Sequence, residues 1–207
     1  KLGDTFYLRG GVGSRTNIDG GAGDDKLVLV SGSIGTGKRA DGVTDSKITN
    51  IENLEMRAQD GDLSADFDRF DESLKRVLVR TEQNMAATFT LSNISEKFSK
   101  EGVIDIEHSI GNNGEATNYN TKIVASLKNA KGDKDSLTFR VLDANDKDDN
   151  FKFEIGAKGV ENITVKDEDT ESNEMKLTNA GDHTGKVTLT GGTAGKYLAV
   201  NSEIVAT

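Results

Sequence analysis

A cluster of aspartates and glycines near the start of the chain carries the clearest chemistry in the sequence. The run Asp19-Gly-Gly-Ala-Gly-Asp-Asp-Lys-Leu-Val-Leu-Val30 sets the carboxylates of Asp19, Asp24 and Asp25 around Gly20, Gly21 and Gly23, with Asp4 upstream. Glycine reaches backbone angles closed to other residues, so such a turn can aim its carbonyls inward. Carbonyls and carboxylates are hard oxygen ligands, and together they suit Ca²⁺. The expected ligand set is Asp4, Asp19, Gly21, Gly23 and Asp25. Without a cation, these like charges would repel at short range in a partly dehydrated turn.

From Gly20 to Val28 the residues match the nine-residue pattern G-G-x-G-x-D-x-U-x, where U is a large apolar residue, and that pattern is a calcium β-roll signal. Leu27 then points to a core and Val28 to the opposite face, because strand side chains alternate. Upstream, Lys1-Leu-Gly-Asp-Thr-Phe-Tyr-Leu8 reads as the end of an earlier unit, with Asp4 in the carboxylate position and Phe6 in the apolar one. Between them, Gly10-Gly-Val-Gly13 opens a degenerate unit in which Arg15 replaces the aspartate and Asn17 the apolar residue. In a roll with two units per coil, alternate units share an edge, which places Asp4 and Asp25 together. They are 21 residues apart, against about 18 for two perfect units, an excess that a small insertion explains. Calcium is expected between the Asp4 turn and the Gly20 to Asp25 turn, and the edge at Gly10 to Arg15 is expected to lack a metal.

Strands must position this turn, and the composition agrees. With 23 Gly, no Pro, no Trp and 34% hydrophobic residues among 207, the chain resembles a turn-rich all-β protein more than a helical one. A net charge of −9 disfavours nucleic acid and anionic membrane surfaces as partners. The absence of Cys excludes disulfides and thiolate metal sites. The longest apolar run, Leu27 to Val30, is far too short for insertion in a membrane. Because the chain opens inside a repeat unit, it is expected to be a piece of a longer protein.

The rest of the chain reads as strands and turns in three parts: residues 1–102, the calcium turn and a first β-repeat module; 103–156, an antiparallel β meander; and 157–207, a second β-repeat module. Ile48, Ile51, Leu54 and Met56 are expected to be buried on short strands joined by a corner at Asn50 or Asn53. Ile51-Glu-Asn-Leu54 returns as Val160-Glu-Asn-Ile163, Val77-Leu-Val79 as Val187-Thr-Leu189, and Ala87–Leu91 as Gly195–Val200, which marks an internal duplication. Leu63, Phe67, Phe70 and Leu74 have helical spacing, with Ser64 as an N-cap, and Glu96–Lys100 reads as a second short helix after Ser95. In the meander, Lys122–Leu127, Leu137–Leu142 and Phe151–Ile155 alternate as half-buried strands do. The fold class expected is therefore all-β: calcium β-roll or β-solenoid-like repeats, an inserted antiparallel meander, and at most one or two short helices.

Other motifs are weaker. Gly32, Gly37 and Lys38 approach a phosphate-binding loop, but Arg39 stands where a Mg²⁺-holding Ser or Thr belongs. Asp143–Asn150 resembles part of a calcium loop, but Lys147 takes a ligand position and the Gly and terminal Glu are missing, so a solvated hairpin tip fits it better, with a second calcium there left open. No H-E-x-x-H or G-x-S-x-G is present, and His108 and His183 sit in polar surroundings, so the chain is read as no enzyme.

Asp4–Leu8, Asn17–Leu27 and Ile48–Leu54, with the later Lys186-Val-Thr-Leu-Thr-Gly-Gly-Thr-Ala-Gly195, resemble segments of bacterial surface-layer (S-layer) proteins that carry repeats-in-toxin calcium units. The resemblance is specific over residues 1 to 56 and weaker over 157 to 207, and it is absent from about 103 to 156. It implies a type I-secreted, extracellular, cell-surface protein that folds on meeting Ca²⁺ and self-associates in a two-dimensional lattice. It also implies contact with cell-surface polysaccharide through a part of the protein outside this sequence. Arg15 departs from the pattern, which leaves a second reading open: a segment of a secreted repeats-in-toxin adhesin or toxin, acting as a calcium-stiffened binding or spacer module. The low aromatic content, 5% with no Trp, disfavours a sugar-stacking site.

Overall fold

Alternating apolar residues make strands along the whole chain, and the pairing of those strands decides the architecture. The computed structural model describes residues 2–13, 15–35, 47–82, 85–107, 120–130, 135–142, 151–178, 186–191 and 198–203, with residues 201–203 described by backbone alone. The first strands are β1 (Thr5–Arg9), β2 (Ile18–Asp19), β3 (Lys26–Ser31), β4 (Ser33–Ile34), β5 (Ile48–Thr49) and β6 (Asn53–Ala58). Next come β7 (Leu63–Asp66), β8 (Arg76–Thr81), β9 (Ala87–Ile94), the helix α1 (Glu96–Glu101) and β10 (Val103–Glu107). The last are β11 (Thr121–Leu127), β12 (Ser136–Leu142), β13 (Phe151–Lys158), β14 (Asn162–Asp167), β15 (Asn173–Thr178), β16 (Lys186–Gly191) and β17 (Leu198–Glu203).

One large sheet has the order β1-β3-β6-β8-β10-β12-β14-β16, a second has the order β17-β15-β13-β11-β9-β7-β4, and β2 pairs with β5 in a small third. Every strand pairing among the described residues is parallel. From β6 onward, successive strands alternate between the two large sheets. In the first sheet the step between partners runs from 21 residues, Thr5 to Lys26, up to 35, Ile104 to Phe139. Each of these steps exceeds the roughly 18 residues of two perfect nine-residue units.

The antiparallel meander expected over 103–156 is corrected by this topology. β10, β11, β12 and β13 occur as strands, but β10 and β12 pair in parallel in the first sheet, and β11 and β13 in the second. Alternation reports that one face of a strand is buried and carries no information on the direction of its neighbour. The residues between β11 and β12 therefore carry the chain across to the other sheet, where a hairpin would have returned it to the same one.

The helix expected at Leu63–Leu74 is also corrected. Leu63 and Ala65 pair with Phe89 and Leu91 as strand, and only Phe67–Arg69 makes a 3-10 turn, capped by Asp66, which accepts from the Asp68 N–H (2.9 Å). Leu63, Phe67, Phe70 and Leu74 are all buried, as their spacing implied, but a strand followed by a corner buries them. The second helix forms as read: α1 starts at Ser95, whose side chain accepts from the Phe98 N–H. The corner between β5 and β6 falls at Asn50, at φ +53, a conformation that asparagine tolerates better than most residues.

The inward faces of the two sheets meet in one core. Leu54, Met56, Val77, Val79, Ile104, Ile106, Phe139 and Val141 from the first sheet, and Phe89, Leu91, Ile123, Phe153 and Ile155 from the second, are fully buried. Each such side chain contributes about 1.5–3 kcal/mol relative to exposure. The internal duplication has a structural counterpart: β6 and β14, and likewise β8 and β16, stand four places apart in the first sheet, and β9 and β17 stand four places apart in the second. Polar residues also enter the interior. Asp167 and Asn173 are both buried, and burial pushes the Asp167 carboxyl above its usual range, with nearby Asp169 adding to the effect.

The other face of the first sheet carries charge in rows. Asp105 is fully buried between Arg76 of β8 and Arg140 of β12, and Glu55 meets Lys26, Arg57 and Arg80. Burial works against ionisation of Glu55, but Arg57, Arg80 and Lys26 outweigh it and hold the carboxyl below its usual range. A depressed native pKa means that Glu55 contributes stability above the unfolded carboxylate range, and that this is lost as pH falls through the lowered native value. Glu55→Gln should thus be less stable than the parent at neutral pH, with the gap closing below about pH 4. Urea unfolding across that range checks this, and a gap independent of pH would count against the ion-pair account.

Candidate metal centre at the glycine-rich turn

β1 and β3 pair with Thr5 beside Lys26, so the turns that precede them, at Asp4 and at Gly20–Asp25, lie side by side. The 21-residue spacing read from the sequence is the step between these two strands. The Lys26 N–H donates to the Asp4 carbonyl (2.9 Å), and the Asp4 N–H donates to Asp25 Oδ1 (2.6 Å). Gly23 takes φ +145, and a Cβ there would sit 3.0 Å from Gly3 Cα, so the two turns approach through space that only glycine leaves open. A Cβ on Gly20 would lie 2.0 Å from the Asn50 carbonyl oxygen, which makes the same contact on the other side of the turn.

The five expected ligands divide as follows. Asp25 is fully buried, whereas Asp4, Asp19, Gly21 and Gly23 are exposed. Asp4 and Asp25 are brought together through the Asp4 backbone. Asp19 lies in β2, on the small sheet, and its Oδ1 accepts from the Gly21 N–H (3.0 Å) and from Asn50 Nδ2 (2.8 Å). Asp24 Oδ1 accepts from Asn53 Nδ2 (2.8 Å). Among the described residues no three His, Cys, Asp or Glu side chains converge on one point. The feature that fits a cation is Asp25 Oδ2, which is buried and receives no hydrogen bond. A buried acceptor left this way costs about 1–3 kcal/mol, and more when charged. An ion at Asp25 would draw the balance of its about six to eight oxygens from peptide carbonyls and water.

Two further sets of polar contacts at these turns were not singled out by spacing. The first is the pair Glu52 and Asn53. Glu52 Oε2 accepts from the Asp25 N–H (2.8 Å), while Asn53 donates to the Asp25 carbonyl from its backbone (3.0 Å) and its side chain (3.3 Å). The same clamp recurs in the duplicated segment. Glu161 Oε2 accepts from the Asp135 N–H (3.0 Å), and Asn162 donates to the Asp135 carbonyl from its backbone (2.9 Å) and side chain (3.3 Å). The repeated Glu-Asn dipeptide is therefore a device that fastens the start of a strand to its neighbour, and its recurrence was the signal that could have revealed this. Asp135 Oδ2 is unpartnered as Asp25 Oδ2 is, although Lys131-Gly-Asp-Lys134 before it lacks the glycine pattern.

The second group is Arg69, which has no exposed surface at all. Its guanidinium donates to the carbonyls of Gly13 (3.4 Å), Thr16 (3.1 Å) and Gly35 (3.2 Å). Gly13 and Thr16 lie within the degenerate unit, on either side of Arg15, so at that edge a side chain of the protein delivers positive charge to turn carbonyls. Burial lowers the pKa of Arg69, opposed by the charge of Asp66. The Thr36–Arg39 half of the phosphate-loop-like run, Asp143–Asn150, His108 and His183 lie outside the described residues.

A shallow cavity of about 80 Å³ lies between α1 and the Phe67–Arg69 turn, lined by Phe67, Phe70, Leu74 and Phe98. It falls well short of the roughly 300 Å³ at which small-molecule pockets begin. Among the described residues no helix is long and apolar enough to cross a membrane. Comparison with known proteins gives no matching family model, no matching curated protein and no matching solved structure.

Replacing Arg69 should loosen the first turns more than the rest of the chain. Arg69→Met keeps much of the apolar volume but leaves three carbonyls without their donor, and should cost about 3 kcal/mol in urea unfolding. Hydrogen exchange should show the loss of protection concentrated at residues 10–20. An even loss along both sheets would contradict the role assigned to Arg69.

Proposed function

We propose that the chain is a structural segment of a calcium-dependent bacterial surface layer, wound as a β-solenoid-like stack and self-assembling into a two-dimensional lattice outside the cell after type I secretion. The observation that carries the reading is the Gly20–Val28 pattern together with its fold: a glycine-rich turn that feeds a parallel strand and leaves one buried carboxylate oxygen, Asp25 Oδ2, without a donor. All-parallel sheets with alternating strands support the solenoid part, because each turn of chain then lies on the one before it. The residue composition and the absence of enzyme motifs favour a building element over a catalyst. The adhesin or toxin-spacer reading shares the calcium turn and differs in assembly.

Calcium binding at Asp25 would stabilise the folded turn by RT ln(1 + [L]/Kd), about 2.7 kcal/mol at free calcium 100 times Kd. Asp25→Ala should lose most of the calcium-dependent rise in Tm, whereas Asp135→Ala, at the second clamp, should retain it. Equal responses of the two variants would remove Asp25 from the ligand set.

Assembly is tested by electron microscopy of the purified chain in calcium and in chelator. Ordered sheets that form with calcium and disperse with chelator are expected. A chain that stays monomeric in both conditions and binds glycans would instead identify the adhesin reading.

A further inference from the structure

A second acidic corner, where β14 gives way to β15, carries chemistry that the glycine-rich turn does not explain. Asp167 ends β14 on its inward face, in register with Val141 of β12, which in turn stands beside Ile106 of β10 and that beside Val79 of β8. Asn173 opens β15 in register with Phe151 of β13. A carboxylate and a carboxamide thus take positions that apolar side chains fill in the adjacent strands. Both are buried, Asp167 at 4% exposure and Asn173 at 1%. Asp169, at 7%, adds a second carboxylate.

The hydrogen bonds at this corner leave two oxygens over. Asp167 Oδ1 accepts from Asn173 Nδ2 (3.1 Å) and from the Asp169 N–H (3.3 Å), and Asp169 Oδ1 accepts from the Glu171 N–H (3.0 Å). Asp167 Oδ2 and Asn173 Oδ1 are buried and receive nothing. Elsewhere this chain buries a carboxylate with a cation of its own, as Asp105 shows between Arg76 and Arg140. Among the described residues no Lys or Arg pairs with Asp167 or Asp169. Two buried orphan oxygens beside a second carboxylate leave this corner short of a donor or a cation.

We propose that the β14–β15 corner is a calcium site in its own right, with Asp167 and Asn173 as ligands through Oδ2 and Oδ1 and Asp169 supplying the second negative charge. Carboxylate and carboxamide oxygens are hard donors, and Ca²⁺ accepts them together with backbone carbonyls in flexible geometry. Mg²⁺ is disfavoured because it keeps several of its waters, and the Asp167 and Asn173 side chains are almost fully shielded from solvent. The site lies at the opposite end of the strands from Asp25, and β14 is five places from β3 in the first sheet, on the order of 24 Å. It stands independently of the Gly20–Asp25 turn and of the surface-layer reading.

The test is calorimetric titration of the chelator-stripped 207-residue chain with CaCl2, and separately with MgCl2, for the parent, Asp167→Asn, Asp167→Val and Asp25→Ala. Asp167→Asn should bind one calcium fewer per chain than the parent, and Asp25→Ala should keep the Asp167 equivalent whether or not it loses another. Asp167→Val restores the residue type of the neighbouring strand, so it should lack the same equivalent and, in chelator, melt no lower than the parent. Full parental stoichiometry in either folded Asp167 variant, no calcium bound by the parent, or equal affinity for Mg²⁺ would each overturn the proposal. A loss confined to Asp25→Ala would overturn it while leaving the reading of the glycine-rich turn intact.

Discussion

Parallel strand pairing is the constraint from which the other features follow. Two parallel neighbours cannot be joined by a tight turn, so the chain must travel away and return from the same side before it can pair again. Here it uses the journey to build the second sheet, and successive strands from β6 onward alternate between the two. The backbone groups of each interior strand are satisfied by strands 21 to 35 residues away at the first sheet's extremes, and local sequence supplies almost none of them. The corners are then the places where backbone donors lose their ladder partners, and polar side chains have to meet them.

That requirement accounts for much of the acidic character of the chain. Carboxylates accept backbone N–H groups at one corner after another: Asp25 from Asp4, Glu52 from Asp25, Asp71 from Asn50, Asp66 from Asp68, and Glu161 from Asp135. A corner carboxylate is thus structural before it is a ligand. A candidate ion site needs more than a second oxygen left buried and unpartnered, since Asp25, Asp135 and Asp167 all have one: at Asp25 a glycine-rich turn precedes it, and at Asp167 the unpartnered Asn173 Oδ1 stands with it, whereas Asp135 has neither. Arg69 supplies the converse arrangement, a buried guanidinium shared among three turn carbonyls. Cationic side chains and bound ions are in this sense alternative answers to one electrostatic problem, that of stabilising inward-pointing oxygens where water is excluded.

Long-range pairing also explains why charge can be arranged in rows on the outer face. In a parallel sheet residues in register stand beside one another, as Asp105 and Arg140 do, and Arg76, in register with Val103, reaches Asp105 diagonally, so three separate strands form one ion-paired group. No local pattern links residues so far apart in the chain. The stability of such a row depends on the strands on both sides being present, which couples the outer charges to the integrity of the core beneath them.

By itself the sequence determined the all-β character, the burial of Ile48, Ile51, Leu54 and Met56, a corner at Asn50 or Asn53 that the structure places at Asn50, the Ser95 cap of α1, the shared edge of Asp4 and Asp25, and the duplication of the Glu-Asn segment. These rest on local chemistry or short periods: alternation, caps, positive-φ residues and repeated strings. The direction of pairing over 103–156, the strand at Leu63, the recruitment of Glu52 and Arg69, and the buried Asp167–Asn173 corner were decided only by the tertiary structure. The physical reason is common to all four. An alternating strand looks the same beside a parallel or an antiparallel neighbour. A carboxylate or guanidinium acquires its role from partners tens of residues away, or from an apolar environment that its own segment does not create.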